Sequence, residues 1–118
     1  MSALNERKLP LNGSRVLMLG FAYKRNTSDL RESPAEPLAH LLLANGADLR
    51  ICEPHVGIAK IPVNAPTVPF TAEELAAADA VLVVTDHDVF DWELVRAASR
   101  YVLDTRNVVG RGTNVETL

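Results

Sequence analysis

The sequence predicts a single α/β domain: an open parallel sheet of about five strands with helices on both faces, Rossmann-like in plan. Three observations carry that expectation. At 118 residues the chain is sized for one compact domain. Its most apolar runs, Val16-Leu17-Met18-Leu19 and Ala80-Val81-Leu82-Val83-Val84, lack polar alternation, as strands covered on both faces do. Helix-start signals fall between such runs, and strands alternating with helices specify a parallel sheet with crossover connections.

The first strand occupies residues 15–20, bounded by Asn12-Gly13-Ser14 and closed by Gly20. A polar loop over residues 21–32 follows. It gives way to Ser33-Pro34-Ala35-Glu36, where Ser stands at the N-cap, Pro at the first helical position and Glu three residues after the Ser. The helix runs over residues 34–45, with Leu38, Leu41, Leu42 and Asn45 marking its buried face and Gly46 its end. Residues 48–52 form the second strand, cut off by Glu53-Pro54, which completes one βαβ unit.

Residues 55–69 hold Pro62, Pro66 and Pro69 and read as an extended loop, with an edge strand at residues 67–70. Thr71-Ala72-Glu73-Glu74 is a second capping box and opens a short helix to residue 78. After the strand at residues 80–84, a third helix over residues 91–99 buries Trp92, Leu94 and Val95. The strand Tyr101-Val102-Leu103 ends at Asp104, and the tail after Val109 reads as frayed. Trp92, Phe70, Phe90 and Tyr101 are assigned to packing.

Composition excludes several classes. Twelve Lys and Arg against fifteen Asp and Glu give a net charge of -3, so no overall positive field draws nucleic acid or an acidic membrane. A single cysteine forms no internal disulfide, no stretch approaches a membrane span, and no signal region follows the N-terminus. The expected location is cytoplasmic, and any anion site must be local.

In open parallel sheets ligands bind beyond the carboxyl ends of the strands. The loop after the first strand brings Tyr23, Lys24, Arg25, Asn26, Thr27, Asp29, Arg31 and Glu32 between a strand end and a helix N-terminus. Cations beside a helix N-terminus suit phosphate, and Tyr23 is placed to stack on a base. The same composition also fits a solvated loop in which Asp29 and Glu32 pair with the arginines. Neither GxGxxG nor a P-loop is present. Arg106 follows the last strand and falls on the same edge, either as a second anion clamp or as a surface partner of Asp104. His87, in Thr85-Asp86-His87-Asp88, orders its loop or serves acid-base or metal chemistry, although its element supplies no second His or Cys ligand. His40 and His55 read as surface residues, and Cys52 as a buried small hydrophobe.

Gly20-Phe21-Ala22-Tyr23-Lys24-Arg25-Asn26-Thr27-Ser28-Asp29-Leu30-Arg31-Glu32-Ser33-Pro34 resembles the G-x-A-[FY]-K-x-x-[TS]-x-D-x-R-x-S-P signature of the UDP-glucose/GDP-mannose dehydrogenase family, at every fixed position. Glu53-Pro54-His55-Val56 is similar to the family's D-P-x-V, with Glu for Asp as a mild loop change. Ala78-Asp79-Ala80, Thr85-Asp86-His87 and Leu103-Asp104-Thr105-Arg106-Asn107 resemble its A-D-A, T-x-H and D-x-R-N segments, in the family's order.

The resemblance implies the C-terminal, nucleotide-binding domain of an enzyme that oxidises the C6 hydroxyl of a UDP-sugar, or a GDP-sugar, to a carboxylate with two NAD. It implies that Tyr23, Lys24 and Arg106 bind substrate and that Arg31 reaches NAD. It also implies that NAD is bound mainly by a domain absent from this chain, that no catalytic residue lies here, and that the full-length enzyme is a homo-oligomer. Residues 1–14 then read as the tail of an interdomain linker helix, residues 15–109 as the nucleotide-sugar-binding domain and residues 110–118 as a C-terminal tail. Two other readings are an oligomerisation module without nucleotide affinity and a receiver-like signalling domain. The latter lacks the paired acidic residues a receiver carries after its first strand, where this chain has Gly20-Phe21-Ala22.

Overall fold

The computed structural model describes residues 12–21, 35–54 and 63–117. In chain order the elements are β1 (Arg15–Leu19), α1 (Ala35–Ala44), β2 (Asp48–Cys52), α2 (Ala72–Ala77), β3 (Ala80–Val83), α3 (Trp92–Ala98), β4 (Val102–Asp104) and β5 (Val115–Thr117). The five strands form one sheet in the order β2-β1-β3-β4-β5, and every adjacent pair is parallel. The Rossmann-like α/β expectation is met.

Strand periodicity sorts the apolar runs onto two faces. Val16 and Met18 of β1, Leu49 and Ile51 of β2, and Ala80 and Leu82 of β3 pack with Ala35, Ala39 and Leu42 of α1. Leu17, Leu19, Val81, Val83 and Val102 face the other way, onto Leu75 of α2, Val95 of α3 and Phe90. Covering both faces explains why β1 and β3 contain no alternating polar residue. Each fully buried aliphatic side chain contributes about 1.5–3 kcal/mol.

Capping follows the sequence where it is described. Thr71 Oγ1 accepts the Glu74 N–H at 3.2 Å, and Asp91 Oδ1 accepts the Leu94 N–H at 3.2 Å. Gly46 ends α1 at φ +84°, and a Cβ there would meet Asn12 Oδ1 at 2.4 Å. Ser33 and Pro34, the start signal expected for this helix, lie outside the described residues.

Several expectations are corrected. The buried stripe of α1 is Ala35, Ala39 and Leu42, spaced four and three apart, while Leu41 is 51% exposed. Trp92, Leu94 and Phe70 are half-buried on the rim of the α2/α3 core instead of inside it. Residues 67–70 form no strand; Thr67 makes one parallel bridge to Ile51.

The frayed tail is instead the fifth strand. Asn114 Nδ2 donates to the Arg96 and Ser99 carbonyls at 3.0 and 2.9 Å, and Arg96 donates to the Val109 carbonyl at 2.7 Å. Those bonds strap the connection from β4 across the end of α3. Tyr101 then holds β5 through Glu116 at 3.1 Å. Among the described residues no helix is long and apolar enough to cross a membrane.

Candidate functional site

Strand order reverses direction between β1 and β3, so the crevice beyond their carboxyl ends is where this fold receives ligands. The chain leaves β1 at Gly20, with φ +89° and its N–H donated to the Cys52 carbonyl at 2.8 Å. A Cβ on Gly20 would stand 2.4 Å from Thr85 Cβ and 2.9 Å from Thr85 N, so this glycine lets the exits of β1 and β3 touch. Next, the Phe21 N–H donates to Glu53 Oε1 at 2.8 Å, and the same oxygen lies 2.8 Å from His87 Nε2. Both the Glu53 and His87 side chains are wholly buried.

The turn after β4 is built around Asp104. Its Oδ2 accepts the N–H groups of Val108 and Val109, each at 2.8 Å, and its Oδ1 accepts that of Arg106 at 3.0 Å. Thr105 Oγ1 ties the turn to β3 through the Val83 carbonyl at 2.6 Å. Asn107 at φ +59° completes the bend, a conformation asparagine tolerates better than most residues. The alternative pairing of Arg106 with the Asp104 carboxylate is therefore corrected: that carboxylate is consumed by backbone donors. The Arg106 guanidinium instead lies 3.4 Å, from Nε, from Asp86 Oδ1 on the β3 turn. Its side chain is 43% exposed and that of Asp86 15%. A guanidinium steadied on one side and open on the other can donate paired hydrogen bonds to a phosphate.

The profile of the UDP-glucose/GDP-mannose dehydrogenase family, UDP binding domain, matches residues 17–111. The chain belongs to that family. It is 37% identical to the UDP-glucose 6-dehydrogenase of Haloferax volcanii, over all of this chain and 29% of the relative. It is 31% identical to a UDP-N-acetyl-D-mannosamine dehydrogenase of Methanococcus maripaludis, over 92% of this chain and 26% of the relative. Among solved structures, the NDP-N-acetyl-D-galactosaminuronic acid dehydrogenase of Methanosarcina mazei superposes with a TM-score of 0.75 at 25% identity, over 99% of this chain and 26% of that one. The chain thus spans between a quarter and three tenths of the length of these relatives.

Of the residues that the family motif singles out, Arg106 stands at the carboxyl edge. Tyr23, Lys24 and Arg31 lie outside the described residues, as does His55. Cys52 is no nucleophile: burial, then the negative charges of Glu53 and Glu74, push its thiol from 9.0 up to about 12. Among the described residues no cluster of three metal-ligating side chains exists.

Sequence reasoning missed Glu53, Asp86 and Asp104 as working parts. Glu53 in particular was expected to be a mild loop change and is instead buried. The signal available was positional, since each follows or closes a strand at its carboxyl end.

Proposed function

We propose that this chain binds the nucleotide diphosphate of a UDP-sugar at the carboxyl edge of its sheet. On this reading it is the substrate-binding domain of an NAD-dependent nucleotide-sugar 6-dehydrogenase, which takes the sugar C6 hydroxyl to a carboxylate. The observation that carries the reading is Arg106, half-exposed at the fold's ligand edge and steadied by Asp86, in a chain of this family. Tyr23 and Lys24 join Arg106 on the substrate, and Arg31 reaches toward NAD. NAD itself is held mainly by parts of the enzyme outside this chain, as is the group that attacks the substrate. We take the enzyme to be cytoplasmic and a homo-oligomer. Residues 1–11 are then the end of a linker helix; the expectation that this helix extends to residue 14 is corrected, since Asn12 and Gly13 form a turn into β1, with Gly13 at φ +84°.

The test is an NMR titration of the 15N-labelled chain with UDP, GDP and UDP-sugars. Saturable shifts at Tyr23, Lys24, Arg31 and Arg106 are expected, stronger for uridine than for guanosine. Arg106→Ala should weaken UDP binding roughly 10- to 100-fold, the worth of a charge-assisted hydrogen bond. Absence of saturable shifts at millimolar UDP overturns the reading for this chain.

A further inference from the structure

Four buried polar residues, Glu53, Thr85, His87 and Asp104, cluster at the carboxyl edge, and two of them, Glu53 and His87, form a hydrogen-bonded pair that binding does not use directly. Glu53 Oε1 joins the exits of three adjacent strands: it is carried just after β2, accepts the Phe21 N–H after β1 and meets His87 Nε2 after β3. With Glu53 ionised, Nε2 must carry the proton and donate. The His87 ring also packs against Phe90, with centroids 5.7 Å apart, and Phe90 packs in turn on Trp92 at 5.5 Å and Phe70 at 5.3 Å.

A buried polar pair is a poor way to gain stability, because desolvating both groups offsets most of their attraction and an apolar pair of similar volume often does as well. What such a pair supplies and an apolar pair does not is direction: its hydrogen bonds hold only in one arrangement. The residue whose direction matters is one peptide away. Asp86 precedes His87 in the β3 turn and steadies the Arg106 guanidinium at 3.4 Å.

We propose that Glu53 and His87 are a positioning pair that locks the β3 turn so that Asp86 aims Arg106 at the nucleotide diphosphate. This rests on the reading of Arg106 as a substrate ligand. The chain of contacts crosses the sheet in strand order, from β2 and β1 through β3 to the turn after β4. A disturbance at Glu53 therefore reaches Arg106 although Glu53 touches no ligand.

The experiment compares the labelled wild-type chain with Glu53→Gln, His87→Gln and the double substitution Glu53→Met/His87→Leu. The double variant replaces the pair by apolar groups and is expected to stay folded. The readouts are thermal midpoint, UDP Kd, the Arg106 Nε–H resonance and the Phe21 amide resonance. We expect a double variant with a lowered midpoint, because the buried Phe21 N–H loses its acceptor, and, at temperatures where it is folded, a UDP Kd raised about tenfold or more, the equivalent of 1.4 kcal/mol, with both resonances displaced. Glu53→Gln should show the same displacements with a smaller rise in Kd. A folded double variant that binds UDP within about twofold of wild type, with Arg106 Nε–H unmoved, overturns the proposal and leaves the pair a packing element. If the double variant does not fold, the Gln variants decide by the same readouts. If the wild-type chain binds no UDP, the functional reading fails on its own, and the Arg106 Nε–H resonance still decides: displaced, the positioning stands; unmoved, it falls.

Discussion

At the centre of the sheet, β1 and β3 bury only apolar side chains, whereas just beyond the carboxyl ends of β2 and β3 the buried polar groups are the Glu53 carboxylate, the Thr85 hydroxyl and the His87 imidazole. The centre is held by burial, which is non-directional and tolerates exchange of one aliphatic for another. The edge is held by hydrogen bonds with single geometries: Glu53 to Phe21, Thr105 to Val83, and Asp104 to three N–H groups. Damage at the centre should lower stability with little effect on where Arg106 points. Damage at the edge should do both.

Asp104→Ala gives the largest expected effect. It strands three backbone donors, one of them fully buried, and should cost on the order of 4 kcal/mol in denaturant unfolding. It should also weaken UDP binding at temperatures where the variant remains folded. An unchanged affinity in folded protein would erase the distinction between edge and centre.

Leu17→Ala sharpens the comparison from the other side. Leu17 is 2% exposed in the α2/α3 core, so truncation should cost about 3 kcal/mol. The Arg106 Nε–H resonance should stay in place, and a displaced resonance would mean that the two regions are not separable.

Cys52 lies on the boundary, and its effect is the smallest and depends on pH. Its folded thiol is pushed up to about 12 from 9.0, so unfolding releases a proton more readily than the native state does. The stabilisation from keeping it neutral is complete below pH 9 and is lost as pH rises toward about 12. The difference in urea midpoint between wild type and Cys52→Ala should be constant below pH 9 and drift against wild type above it. A constant difference throughout that range would show the thiol to be better solvated than its position implies.

Most of the fold was legible because its signals are local or periodic. The runs at β1 and β3, the capping of α2 by Thr71, and the glycine closing α1 all depend on near neighbours in the chain. β5 was illegible for the opposite reason. The stretch Gly110-Arg111-Gly112-Thr113-Asn114 has no apolar period, and its order comes from bonds to Arg96, Ser99 and Tyr101, residues brought near only by folding. The exposure of Leu41 follows from which side of α1 meets the sheet, which the Leu-rich stretch itself does not distinguish.

For the site the division is similar. The sequence alone determined the family motif, the sheet edge on which a ligand should bind, and Arg106 as a candidate anion clamp. Only the tertiary structure decided that Asp104 turns its carboxylate inward, that Arg106 leans on Asp86, and that Glu53 reaches across to Phe21 and His87. The physical reason is separation along the chain. Apolar periodicity and caps are short-range properties written into consecutive residues, while a buried carboxylate chooses among distant donors, and Glu53 and His87 are 34 positions apart in the chain.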